Sequence, residues 1–208
     1  MADVKRNLLI NGANSISVGG SGTAIKYFPF VPGSSIGVSS LKNGYVWIPG
    51  NNESNGQRLG VRASGYFQIG GPIPSPVVTL ALYPVTLSTA FPNMGQPQNA
   101  LASSATVGST AIVSGSTTGS SGEQAFGTNY PWALDAQIVA DGSSGLAQLL
   151  SGQVILDGNN TPASAGLISG LSGLVMSNPV PFGLVVGVTF SVSNTANSAS
   201  MLQFDLSI

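Results

Sequence analysis

Phe182-Gly183-Leu184-Val185-Val186-Gly187-Val188-Thr189-Phe190-Ser191-Val192-Ser193 decides the fold. Phe182, Leu184, Val186, Val188, Phe190 and Val192 recur at every second position, with Gly183, Val185, Gly187, Thr189, Ser191 and Ser193 between them. Side chains of an extended strand point alternately to opposite faces, so this period sets one apolar row against a core. The same period places Trp132, Leu134, Ala136, Ile138 and Ala140 opposite Ala133, Asp135, Gln137, Val139 and Asp141. A third run sets Leu202, Phe204, Leu206 and Ile208 against Met201, Gln203, Asp205 and Ser207. Each run is predicted as a strand with one buried face.

Shorter β-rich segments lie upstream: Ile25–Phe28, Tyr45–Ile48, Tyr66–Ile69, Val78–Leu82 and Gln153–Leu156. Turn residues punctuate them at Asn43-Gly44, Gly70-Gly71-Pro72, Asp157-Gly158-Asn159 and Asn194-Thr195. No segment sustains a helical period with a cap and a stop. Ala147 to Leu150 and Ala163 to Leu174 are read as holding at most one or two helical turns. Many strands, Gly/Pro-rich turns and no long helix point to an all-β sandwich or barrel.

Residues 1–62 read as an extended N-terminal arm with a small β element, and residues 63–208 as the β-sandwich domain. The arm holds proline-aromatic clusters such as Tyr27-Phe28-Pro29-Phe30-Val31-Pro32 and every base in the chain: Lys5, Arg6, Lys26, Lys42, Arg58 and Arg62. Within the body, 103–122 is almost wholly Ser, Thr, Gly, Ala and Val, and reads as a linker or a long loop lying on a partner.

Composition narrows function. Of 208 residues, 42% are apolar and only 6% charged, against about 25% charged in an ordinary domain. A mean hydropathy of +0.31 argues against wholesale disorder. A surface so poor in charge suits contact with other protein better than solitary life in water. The bases, less Asp3 and Glu53, leave the arm at +4, while Glu123, Asp135, Asp141, Asp157 and Asp205 leave the rest at −5. That polarity suits arm-on-body or head-to-tail contact, although so few charges also segregate by chance. The bases form no stripe with interleaved aromatics, so direct nucleic-acid binding is not expected. Leu8-Leu9-Ile10 is too short for the apolar core of a secretion signal, and prolines interrupt the uncharged stretch before Gln203, so no membrane span is expected.

Catalytic motifs lack their partners. Gly33-Ser34-Ser35-Ile36-Gly37 fits the nucleophile-elbow pattern, but the chain has no histidine to act as base. Ser39-Ser40-Leu41-Lys42 fits a serine-lysine pattern without its S-D-N and K-T-G companions. Asp135 and Asp141 share the polar face of one strand, solvated or at an interface, and do not converge as an acid-base pair. Asp157-Gly158-Asn159-Asn160 reads as a turn, with a calcium loop as the alternative although the spaced oxygen ligands are missing. Without cysteine or histidine, no site for metals that prefer thiolate or imidazole is expected, and no cofactor. Asn52-Glu53-Ser54 and Asn159-Asn160-Thr161 are chance sequons in the absence of a secretion signal.

The better lead is aromatic. Tyr27, Phe28, Phe30, Trp47 and Phe91 sit beside prolines or in irregular stretches. They read as interface anchors or as caps on the sandwich core. With the bases, they make a predicted partner surface of Lys5, Arg6, Lys26, Tyr27, Phe28, Phe30, Trp47, Arg58 and Arg62.

The segments Tyr130–Gly145, Gly152–Gly158 and Pro181–Phe190, followed by Asn194 and Met201–Phe204, together resemble the tail half of jelly-roll bacteriophage virion proteins. The resemblance covers about half of the chain, Tyr66 onward at most, and rests on strand pattern. It implies a jelly-roll-like β-sandwich and a capsid decoration, or cement, protein on the capsid exterior of a virion. Such a protein would be made in the host cytoplasm and bind the major capsid protein and copies of itself as a homo-oligomer. It implies no catalytic or ligand-binding residue. Three rivals stand beside it. A tail or fibre component would share the structural class. A carbohydrate-binding β-sandwich would need an exposed aromatic platform with acids or amides around it. A hydrolase is disfavoured by the missing histidine.

Overall fold

The computed structural model describes residues 6–10, 16–19, 23–28, 46–48, 58–70, 76–87, 105–117, 128–141, 146–157, 159–163, 166–167 and 182–207. In chain order its strands are β1 (Arg6–Ile10), β2 (Ile16–Gly19), β3 (Lys26–Tyr27), β4 (Val46–Ile48), β5 (Arg58–Gln68), β6 (Val78–Leu87) and β7 (Ala105–Val107). They continue as β8 (Val113–Ser116), β9 (Tyr130–Asp141), β10 (Leu146–Leu156), β11 (Asn159–Ala163), β12 (Gly166–Leu167), β13 (Phe182–Phe190) and β14 (Ser198–Ser207). No helix occurs among the described residues.

These strands form two antiparallel sheets. The eight-stranded sheet runs β1-β14-β5-β9-β10-β11, with β2 also on β14 and β12 also on β10. The six-stranded sheet runs β3-β13-β6-β7, with β4 also on β13 and β8 also on β6. Period-two patterning explains the layering. β9 turns Trp132, Leu134, Ala136 and Ile138 inward, and β13 turns Leu184, Val186, Val188 and Phe190 inward to meet them. Leu59, Val61, Ala63 and Phe67 of β5 and Val78, Leu80 and Leu82 of β6 complete the core. The chain is an all-β, jelly-roll-like sandwich.

Bulges in β14 and β10 shift the alternation. Opposite β5, the register of β14 slips between Met201 and Gln203, so Leu202 is the extra residue. A bulge breaks the strict period of two, and the inward row passes from Ala199 and Met201 to Phe204. The alternation expected to set Met201 on the outer side therefore fails there: Met201 is fully buried. In β10 the slip lies between Leu149 and Ser151, leaving Leu149 buried and Leu150 exposed. The helical turns expected over 147–150 are strand, because the Leu149-Leu150 pair that breaks the alternation is this bulge.

The 103–122 stretch contains two strands where a loop was expected. β7 and β8 pair with β6, and Ile112, Val113 and Thr117 are buried against it. The Val78 amide donates to Thr117 Oγ1 (3.0 Å), and the Ile112 amide donates to the Leu82 carbonyl (2.8 Å). Val113, Gly115 and Thr117 turn inward between exposed Ser114 and Ser116, which fits a pleated, half-buried surface.

The first four strands line one edge of each sheet. β1 and β2 lie end to end along β14, and β3 and β4 end to end along β13. Just past β3, the Phe28 amide donates to the Val186 carbonyl (2.9 Å), and its ring enters the core 5.8 Å from the Trp132 ring. β5 then runs unbroken through position 62.

Two polar residues hold ends together. Trp132 lies opposite Gly65, and its Nε1 donates to the Ser200 carbonyl at 3.2 Å. A Cβ at Gly65 would overlap that same carbonyl oxygen, so the close approach requires glycine. Asn197 is fully buried; its Oδ1 accepts from the Gly70 amide (2.8 Å) and its Nδ2 donates to the Val192 carbonyl (2.9 Å). It latches the β13–β14 connection to the end of β5.

Candidate functional site

The outward face of the eight-stranded sheet is a grid fixed by register, because residues directly opposite in an antiparallel pair share a face. One row runs Asp205, Arg62, Asp135, Gln153 across β14, β5, β9 and β10. The next runs Gln203, Ser64, Ala133, Ile155. A third begins Ser200, Tyr66, Pro131. Rows lie about 7 Å apart and strands about 4.8 Å apart.

Side-chain size turns this grid into relief. Ser64 and Ala133 are short and lie side by side, so the middle row sinks between longer neighbours. The result is a depression of 240 Å³ lined by Arg62, Ser64, Ala133, Asp135, Gln153, Ile155 and Gln203, with Ala63 and Leu134 beneath. Arg62 Nε donates to Asp135 Oδ2 at 2.8 Å. Arg62 is 67% exposed and Asp135 32%, so the pair stands at the rim in water. On the other flank Gln203 Nε2 donates to the carboxylate of the buried Asp205 (2.9 Å). Guanidinium, carboxylate, amide and hydroxyl therefore converge on one shallow hollow.

The opposite sheet presents different chemistry. On its outer face Ala81, Tyr83 and Val185 are buried in a small second cluster, with Ile25, Tyr27, Val107 and Ala111 packed against it. Tyr27 and Tyr83 meet edge to face, 5.7 Å between centroids at 86°. Burial raises both phenol pKa values above the ordinary 10.0, and the proximity of Tyr83 adds to the rise at Tyr27.

The residues predicted as a partner surface scatter over this frame. Arg58 and Arg62 share the outward face of β5. Lys26 and Tyr27 sit on the edge strand β3, opposite Val188 and Gly187. Arg6 lies opposite Ser207 on β1, and Trp47 opposite Gly183 on β4. Phe28 is a correction: fully buried against Trp132, it caps the core and offers no surface anchor. Lys5, Phe30 and Phe91 lie outside the described residues, as do the two serine motifs at 33–37 and 39–42.

Asp157 is a turn residue. It has φ 49° and directly follows Leu156, which pairs with Asn159, as suits the Asp of a tight hairpin turn. Among the described residues no group of three or more His, Cys, Asp or Glu side chains could hold a metal ion. Nor, among the described residues, is there a helix long and apolar enough to cross a membrane. Ser64, Gln153 and Gln203 were not candidates in the sequence. Their outward positions were legible from period two, but nothing local brings residues 64, 133, 153 and 203 side by side.

No family model matches the chain, and no curated protein matches it. Solved structures similar to it include arcelin-5, a lectin-like defence protein from Phaseolus vulgaris, at 10% identity and a TM-score of 0.42, covering 99% of this chain and 98% of that one. Lectin II from Ulex europaeus is similar at 11% identity and a TM-score of 0.41, covering 99% and 97%. The CBM2 module of the evolved Dit of Lactobacillus casei BL23 phage J-1 is similar at 12% identity and a TM-score of 0.31, covering 98% and 96%. At these scores the functional reading rests on this chain's own residues.

Proposed function

We propose that this chain is a non-catalytic structural component of a bacteriophage particle, acting as a capsid decoration protein that binds the major capsid protein and neighbouring copies. One observation carries the reading: a sandwich with a complete apolar core keeps only 6% charged residues. The outward hollow of its eight-stranded sheet is lined by amides, a hydroxyl and short side chains, with the Arg62–Asp135 ion pair at the rim. Such surfaces lose little on desolvation, because few full charges must leave water. Contacts repeated around a shell then add through symmetry and multivalency.

The arm supports the same reading. Its strands attach to both sheets by backbone pairing along edges, a mode that lets one chain continue into another. The absence of histidine from the whole sequence removes the usual general base for hydrolysis.

The test is co-sedimentation of purified chain with assembled phage shells, followed by thermal disruption of those shells. Binding with a raised disruption temperature is expected. Free chain in the supernatant and an unchanged temperature would remove the decoration role. A tail location, seen by electron microscopy, would move the chain to the tail or fibre reading.

A further inference from the structure

We propose that the depression on the outward face of the eight-stranded sheet is a binding site for a neutral, polyhydroxylated ligand of the size of one hexose ring. The inference goes beyond the structural role above and stands or falls independently of it.

Four features of the hollow select this chemistry. First, it offers both halves of every hydroxyl contact. A hydroxyl donates one hydrogen bond and accepts others, and here a carboxylate and amide oxygens accept while guanidinium and amide N–H groups donate. The Arg62–Asp135 bond engages only Nε and Oδ2, which leaves the terminal Arg62 nitrogens and the second Asp135 oxygen to a ligand, among the described residues. Second, the Arg62–Asp135 pair at the rim neutralises itself, and the other carboxylate of that row, Asp205, is buried behind Gln203. A phosphate or nucleic acid would meet Asp135, and a cation would meet Arg62, so neither sign of ligand is favoured. Third, the volume of 240 Å³ lies below the roughly 300–1,000 Å³ typical of drug-sized sites. It suits one small ring. Fourth, the next row along the sheet carries Tyr66 beside Pro131, which sets an aromatic ring about 7 Å along β5 from Ser64. A second ring of a longer chain would reach it.

A peptide main chain also combines donors and acceptors, but the geometry disfavours it here. Extended peptides are captured at sheet edges, where backbone groups are unpaired. β5 and β9 are interior strands, each paired on both sides, so only side chains face the hollow. Those side chains are spaced as a cluster and not as a groove.

The experiment titrates the isotope-labelled full chain separately with D-glucose, D-galactose and D-mannose, and with a neutral glycine-serine tetrapeptide, to about 50 mM, a range that captures millimolar binding. At least one hexose is expected to give saturable amide shifts centred on Ser64, Ala133, Asp135 and Gln153. Asp135→Asn is expected to weaken binding about tenfold, the loss of a charge-assisted hydrogen bond. Ala133→Leu, which fills the floor, is expected to abolish it. Both positions face solvent on paired strands, and retained signal dispersion in the spectrum identifies the variants as folded. Val139→Ala, on the same face but outside the hollow, is expected to leave affinity unchanged. The site is overturned if no hexose gives saturable shifts there, if only the peptide does, or if binding is indifferent to both Asp135→Asn and Ala133→Leu.

Discussion

The two outward faces of this sandwich solve opposite problems. On the eight-stranded sheet the middle strands present Arg62, Asp135, Gln153 and Gln203 around a hollow. On the six-stranded sheet Val185, Ala81 and Tyr83 are buried on the outer side as completely as a core. One face stays wet and polar around its hollow, whereas the other carries a second apolar layer. The contrast teaches that β13, whose sequence decided the fold, is apolar on both faces for a reason. Gly187 lies flat between Tyr27, Ile25 and Tyr83, within 3.0–3.2 Å of where a Cβ would stand. The strand that anchors the main core also floors the second cluster.

Removing the side chain that joins the arm to the main core should have the largest effect. Phe28→Ala is expected to destabilise the chain by about 3–5 kcal/mol, the usual cost of emptying a buried aromatic site, read by urea unfolding. A loss below about 1 kcal/mol would show that the arm is peripheral to the fold. Next comes the latch between β5 and the β13–β14 connection. Asn197→Ala strands the buried Gly70 amide and removes the part-buried bond to the Val192 carbonyl, and about 1–3 kcal/mol should be lost. Asn197→Asp, which keeps the acceptor but removes the donor, should not restore full stability.

The second cluster makes a prediction in pH. Tyr27 and Tyr83 hold their protons more tightly when folded than when unfolded, because burial disfavours the phenolate. The native state therefore binds more protons than the unfolded state above pH 10.0, and stability falls as pH rises past that value. Below it these two groups contribute no pH dependence. Spectrophotometric titration should show Tyr27 and Tyr83 ionising late, and Tyr83→Phe should remove part of the alkaline loss. The smallest effect belongs to the wet face. Arg62→Ala should cost under about 1 kcal/mol of stability, as exposed ion pairs do, even where ligand affinity drops.

Much of this fold was legible in the chain and the site was not, for one physical reason. Period two is local, so Leu184 to Phe190 and Trp132 to Ile138 announced their inward faces directly. Bulges are local breaks in that period, and they misled at Met201 and at Leu149-Leu150. Strand content in 105–116 was hidden because Ser, Thr and Gly serve turns and half-buried strands alike. Phe28 read as a surface anchor because proline follows it, yet only the long-range pairing to Val186 decides where its ring goes. The hollow is long-range throughout: Ser64 meets Ala133 and Gln203 only after β5, β9 and β14 have found their registers.

Electron cryomicroscopy of particles from cells producing the chain tests the central claim most directly. The account predicts copies of the sandwich on the shell exterior, each touching the major capsid protein and its neighbours. Particles that carry no trace of the chain, with the purified protein a solitary monomer that turns over a substrate, would contradict it.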